Sequence, residues 1–263
     1  VFLFFSFVFG AVIGSFLNVL IYRLPNHMSI IKPGSHCFTC GAPIKWYDNI
    51  PILSYCILRG KCRNCKSSFS FQYCFIEICT ALLYVLTYIK FRQSWLTVVF
   101  QIIISCFIVI FFIDLRHYII PDSMLIVILL MTIISIWISD NYFVVLWYDR
   151  LIGLGVVAII FLIIFFAEKI CKKELMGLGD IKLFGVMGLL LGYQLLLLGI
   201  LISAIIALLA EVILLKSKHK IIPFGPYLTI GFTIVIFFGM EILNWYSTLF
   251  AVSYTHLRAH ETR

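Results

Sequence analysis

Charge is what this chain has least of. Of its 263 residues only 12% are Asp, Glu, Lys or Arg, against 63% hydrophobic, and the mean hydropathy is +1.10. Soluble domains carry about twice that share of charge, so a water-soluble globular fold is excluded. The first apolar run ends in YRLP without a small-residue cleavage site, which excludes reading it as a removed signal peptide. A Rossmann-type glycine-rich fingerprint between a strand and a helix is also missing, so no familiar nucleotide-binding fold announces itself.

What is present is a succession of charge-poor runs. A helix needs about 20 residues to cross roughly 30 Å of hydrocarbon, and this requirement is met repeatedly. The expected fold is an all-α polytopic membrane protein in a lipid bilayer. About eight transmembrane helices are expected, over 1–22, 74–90, 95–113, 122–139, 151–167, 180–193, 195–215 and 224–247. Only Gly192, Tyr193 and Gln194 separate the sixth from the seventh. With the first helix entering from outside, 15 basic residues fall on one side, including seven between 23 and 72 and the group Lys216, Lys218 and Lys220; Lys90, Arg92 and Arg150 face them. Positive charge marks the cytoplasmic side, so the net charge of +8 reports topology rather than a nucleic-acid surface. The division expected is 1–22 first helix, 23–72 cytoplasmic loop domain and 73–250 membrane domain. The polar segment 251–263 reads as non-native, adapter-derived sequence.

The loop domain holds two C-x2-C pairs, Cys37 with Cys40 and Cys62 with Cys65, 21 residues apart. Doubled pairs of this kind bind one tetrahedral zinc ion, with Gly41 and Gly60 where tight turns are needed. A reducing cytoplasmic loop disfavours disulfides, and a structural metal would stabilise a segment too short for a large core. His36 reads as a neighbour of the ligands. The other five cysteines lack partner spacing and read as small buried hydrophobes.

Acidic groups beside membrane helices are costly, so each needs a reason. Asp114 ends one apolar run in FFIDLRHYIIPDSM; Asp180 opens another, behind Gly177 and Gly179. Both fall on the cytoplasmic side. Two carboxyls converging from different helices can share a water and hold one proton between them, the arrangement of an aspartyl protease. The glycines would let a peptide backbone approach. Structural readings stand beside this one: Asp180 and Asp122 suit helix N-termini, and Asp114 suits a pairing with Arg116 or His117. Asn18 and Arg23 are candidates for the loop's active surface, with an interhelical bond for Asn18 and lipid headgroups for Arg23 standing beside that reading.

In order along the chain come GSFLNVLIYRLP, the cysteine box, FIEICTALLY around Glu77, IDLRHYIIPD, GLGDIK and IPFGPYLTIG. Together they resemble the type IV prepilin peptidases, also called leader peptidase/N-methyltransferases, membrane aspartyl proteases with a G-x-G-D motif. The resemblance implies cleavage of the basic leader of prepilins or pseudopilins after a glycine at the cytoplasmic face of the bacterial inner membrane. It also implies N-methylation of the new terminus from S-adenosylmethionine. It makes Asp114 and Asp180 the catalytic pair, with Asp122, Glu77, Gly177 and Gly179 supporting, and associates methyl transfer with the cysteine loop. Competing readings are a peptidase that keeps the loop only for stability, a zinc-stabilised transporter or proton channel, and a silent docking subunit.

Overall fold

In the computed structural model the described residues are 1–92, 94–138, 145–173, 176–214 and 223–261, with side chains for all but 214 and 250–261. Lys216, Lys218 and Lys220 lie outside them. Eight α-helices appear in order: α1 Phe2–Arg23, a short α2 Leu53–Ile57, α3 Phe71–Phe91, α4 Trp95–His117, α5 Asp122–Trp137, α6 Trp147–Cys171, α7 Leu178–Leu214 and α8 Gly225–Glu261. Six are long and apolar enough to cross a membrane, and α5 is a shorter apolar helix.

The eighth crossing comes from α7, which is two segments. As one rod its 37 residues would span about 55 Å, far more than a bilayer core. It breaks at Gly192, where φ is 74° and ψ is 174°, a region open essentially to glycine alone. The break leaves carbonyls at the end of the first segment without helical partners. Arg150, reaching from α6, donates Nη1–H to the carbonyls of Leu189 and Leu190 at 2.6 and 3.0 Å. The segments then fold back on one another. Phe232 of α8 stacks edge-on with Phe184 at 6.4 Å, and a Cβ at Gly199 would lie 2.6 Å from the same Phe232 ring. Residues on either side of Gly192 therefore reach one point on α8.

The centre of the bundle is α4, which packs on α1, α3, α5 and α8 and buries Phe100, Ile103, Phe107, Val109, Ile110 and Ile113. Against it, α1 and α3 lie very close. Gly10 and Gly14 are four residues apart on α1, and Cβ atoms there would come within 2.8 Å of the Ala81 Cα and 2.7 Å of the Glu77 Cα. Small residues at this spacing let backbones touch where lipid offers no hydrophobic drive to associate. The α6 helix lies at the periphery and is longer than the 151–167 expectation, because its end turns carry Trp147, Tyr148 and Lys169, residues suited to the interface.

One face of the bundle gathers the cysteine loop, the C-terminal ends of α1 and α4, and the N-terminal ends of α3, α5, α7 and α8. Arg116 of α4 donates to Gln72 of α3, and Lys182 of α7 meets Asp122 of α5 at 2.7 Å. Away from that face, Lys90 pairs with Glu241 of α8. The α8 backbone stays helical through Glu261, so the change of composition after residue 250 is not a break in the helix.

Candidate active site

Asp114 lies one turn before the end of α4, which closes when the left-handed Tyr118 returns its N–H to the Asp114 carbonyl at 3.0 Å. The chain then runs extended to Pro121, whose fixed φ starts α5 at Asp122. Asp180 sits in the first turn of α7, its N–H bonded to the Gly177 carbonyl at 3.1 Å. The two carboxylates are brought together from α4 and α7 closely enough to interact electrostatically. Both are buried, at 6% and 9% exposure, and neither has an ion-pair partner among the described residues.

A third helix completes the pair. Gly225, the first residue of α8, donates its backbone N–H to Asp114 Oδ2 at 3.0 Å. Its missing side chain is as important as its N–H: a Cβ there would stand 2.6 Å from Oδ2 and 3.2 Å from the Asp114 Cβ. Two helix N-termini, those of α7 and α8, thus face two carboxylates, the charge their dipoles favour. In the sequence Gly225 is marked only by the Gly-Pro of IPFGPY that opens a helix, a signal that gives no hint of its contact with Asp114.

The predicted glycines divide. A Cβ on Gly177 would touch Asp180 Oδ2 at 3.5 Å, so this glycine borders the carboxylate directly. Gly179 instead faces Ile120, where a Cβ would come within 2.9 Å of that residue's Cβ, and it lets α7 seat against the α4–α5 connection. Asp122 is exposed and clamps α5 to α7 through Lys182 rather than joining the pair. Arg116 turns to Gln72, so the pairing of Asp114 with Arg116 is not formed.

Beneath the loop, Cys37, Cys40, Cys62 and Cys65 converge with their sulfurs within 4.8 Å of one another, and all four are free thiols. Tetrahedral zinc with Zn–S of about 2.3 Å requires sulfurs about 3.8 Å apart, and Cys37 and Cys65 stand at 3.7 Å. The donor set fits a zinc ion. Each pair is a knuckle of one design. The Cys37 carbonyl accepts from the Gly41 N–H and the Cys62 carbonyl from the Lys66 N–H, at 2.8 and 3.0 Å, with both donors left-handed. Gly60, expected at a knuckle, instead ends α2 against the Tyr55 ring, and Lys66 occupies the equivalent turn. The Ser67 hydroxyl, 3.0 Å from Cys65 Sγ and 3.5 Å from Cys37 Sγ, favours both thiolates and brings Cys37 down to about 5, helped by the Cys40 and Thr39 amides.

Glu77 does not join the aspartates. It is 8% exposed near the start of α3, and its Oε2 accepts the Ile52 N–H at 2.7 Å, tying the loop to the membrane core. Asn18 bonds α1 to α3 through the Gly14 and Tyr73 carbonyls at 3.1 and 3.2 Å. Arg23 holds the loop's first turn, donating to the carbonyls of Ser29, Ile30 and Pro33.

Residues 8–91 match a family model described as the bacterial peptidase A24 N-terminal domain, and 101–212 match the type IV leader peptidase family. Among curated relatives, a prepilin leader peptidase/N-methyltransferase from Aeromonas hydrophila is 33% identical, over 93% of each chain. One from Legionella pneumophila is 34% identical over 91% of this chain and 92% of its own, and one from Neisseria gonorrhoeae is 32% identical over 92% and 93%. No solved structure matches. Matched by both family models and about one-third identical to these relatives over nine-tenths of its length, the chain belongs to the type IV leader peptidase family.

Proposed function

We infer that this protein is a membrane aspartic peptidase that removes the leader of type IV prepilins or pseudopilins and then N-methylates the exposed terminus. The observation that carries the peptidase reading is the meeting of Asp114 and Asp180, both buried and without cationic partners among the described residues. Conduction along a path would instead need carboxylates at successive depths. Away from the loop face, Glu241 is paired with Lys90.

In the proposed reaction Asp114, held by the Gly225 N–H, takes a proton from the attacking water. Asp180 gives a hydrogen bond to the scissile carbonyl, the division of roles available to a carboxyl pair sharing one proton. The water oxygen bonds to the carbonyl carbon, and the C–N bond breaks as the leaving amine takes from Asp114 the proton that it drew from water. Gly177 keeps the approach to Asp180 open for an extended substrate backbone. The substrate's apolar segment remains in the bilayer while its basic leader projects to the face that carries the loop, which we assign to the cytoplasmic side of the bacterial inner membrane.

Zinc held by Cys37, Cys40, Cys62 and Cys65 serves structure, since four thiolates leave no open position for a substrate. S-adenosylmethionine supplies an electrophilic methyl group for the second step. The test is mass spectrometry of a prepilin-like peptide incubated with the protein in lipid nanodiscs and this methyl donor. Cleavage after glycine with a one-methyl gain on the new N-terminus is expected. A folded protein that cleaves none of a range of leader peptides overturns the reading.

A further inference from the structure

The reading of the chain as a methyltransferase leaves the donor without a site, and one cavity outside the aspartate pair has the character to hold it. About 300 Å³ of space lies between α1, α3 and the cysteine loop. That volume is at the lower end of the range that takes small organic ligands.

Its walls are mainly of two kinds, and the basic Arg23 and Lys61 also line it, Arg23 with its guanidinium bonded to the loop carbonyls of Ser29, Ile30 and Pro33. On the loop side are aromatic faces: Tyr22 packs on Phe38 at 4.9 Å between centroids, and Tyr55 lies against the Cβ-less Gly60, whose φ of +66° permits that turn. On the membrane side are Asn18 and Glu77. Asn18 spends its amide N–H groups on α1 and α3, leaving its Oδ1 without a hydrogen-bond donor among the described residues. Glu77 accepts the Ile52 N–H, has the Ser15 hydroxyl close by in the same wall, and has no ion-pair partner among the described residues. A buried carboxylate facing a cavity calls for a cation.

The Glu77 bond also holds strain. Ile52 has a φ of 63°, rare for a β-branched residue, and its N–H is the one that Glu77 accepts. Backbone outliers held in place by surrounding bonds collect at ligand sites. A row of ring contacts leads from the cavity wall to the last turns of α4. Rings pass from Tyr55 to Phe71, Phe75 and Phe112, which is two residues before Asp114, at 6.1 to 6.4 Å steps.

A flat aromatic wall opposite a buried anion suits a ligand with a planar base at one end and positive charge at the other. We propose that this cavity is the methyl-donor site, taking a purine-bearing sulfonium, with the base against Tyr22, Phe38 and Tyr55 and the cationic end toward Glu77. The assignment rests on the methyltransferase reading above. In the transfer the acceptor amine's lone pair forms the N–CH3 bond as the S–CH3 bond breaks. The donor leaves as a neutral thioether, and the positive charge passes to nitrogen.

The experiment is equilibrium dialysis of labelled S-adenosylmethionine against the full chain in nanodiscs, for the parent, Tyr55→Ala, Tyr55→Phe and Glu77→Gln. Zinc content, prepilin cleavage and methylation are measured on the same samples. Removing the Tyr55 ring is expected to weaken binding about tenfold, the scale of one lost base–aromatic stack, while Tyr55→Phe restores it. Glu77→Gln is expected to weaken the sulfonium donor more than its neutral product S-adenosylhomocysteine. If the parent binds and methylates while Tyr55→Ala and Glu77→Gln bind like the parent, the donor sits elsewhere and the proposal fails alone. If the parent neither binds nor methylates, the methyltransferase reading fails and the site with it.

Discussion

Gly225→Ala adds one carbon at the contact between α8 and Asp114, and its cost can be worked from the geometry. The new Cβ would start 2.6 Å from Asp114 Oδ2, 2.9 Å from Cγ and 3.2 Å from Cβ. Ordinary contact needs about 3.4 Å or more, so the carboxylate must retreat by nearly 1 Å. Rotation about the side chain does not remove the clash, because the Asp114 Cβ is itself too close. Either Asp114 moves relative to Asp180 or the start of α8 shifts and loses the 3.0 Å N–H bond that orients it. A displacement of about 1 Å in a reacting group costs about a hundredfold in rate, equivalent to about 2.7 kcal/mol of transition-state stabilisation. Gly225 also precedes Pro226, whose ring disfavours helical backbone at a residue bearing a Cβ, so the melt is needed to separate that backbone cost from the loss of catalytic geometry. The assay is kcat/KM for prepilin cleavage in nanodiscs beside a thermal melt. A variant that melts like the parent and cleaves within about threefold of it would refute the idea that Gly225 sets the position of Asp114.

Gly14→Val should act on the fold, since a Cβ at Gly14 meets the Glu77 backbone at 2.7 Å; separating α1 from α3 is expected to cost about 1–3 kcal/mol, read as a lower melting temperature. Stripping the metal with a strong chelator, or making Cys62→Ser, should release close to one zinc per chain by elemental analysis and expose the loop to limited proteolysis, the chain between α1 and α3 being cut first. Asp122→Asn breaks an exposed pair with Lys182 and should change stability by less than about 1 kcal/mol in the same melt, with cleavage falling far less than for either buried aspartate.

The fold was legible where one segment carries its own signal. Apolar run lengths placed the helices, and even the least obvious boundary, inside the run from Leu183 to Leu214, was marked by Gly192, the residue that makes the break. The cysteine box was legible because its pairs repeat one local turn, although spacing could not tell that Lys66 rather than Gly60 would occupy the second left-handed position. The aspartates were legible because each lies at a helix end with distinctive neighbours. Gly225 was not, because its contact with Asp114 spans 111 residues and exists only once α4 and α8 pack. Glu77 shows the same limit: the resemblance makes it a support for Asp114 and Asp180, and only its bond to Ile52 assigns it to the loop.

If Asp114 and Asp180 act as one catalytic pair, cleavage by Asp114→Asn and Asp180→Asn decides it. Both changes keep the shape of the side chain and remove its ionisable proton. Folding is checked by zinc content and melting temperature. The account predicts that each variant alone falls below about 1% of parental cleavage, and that the double variant is no worse than either single one, as for residues acting as a unit. Substantial cleavage by either folded single variant would contradict it.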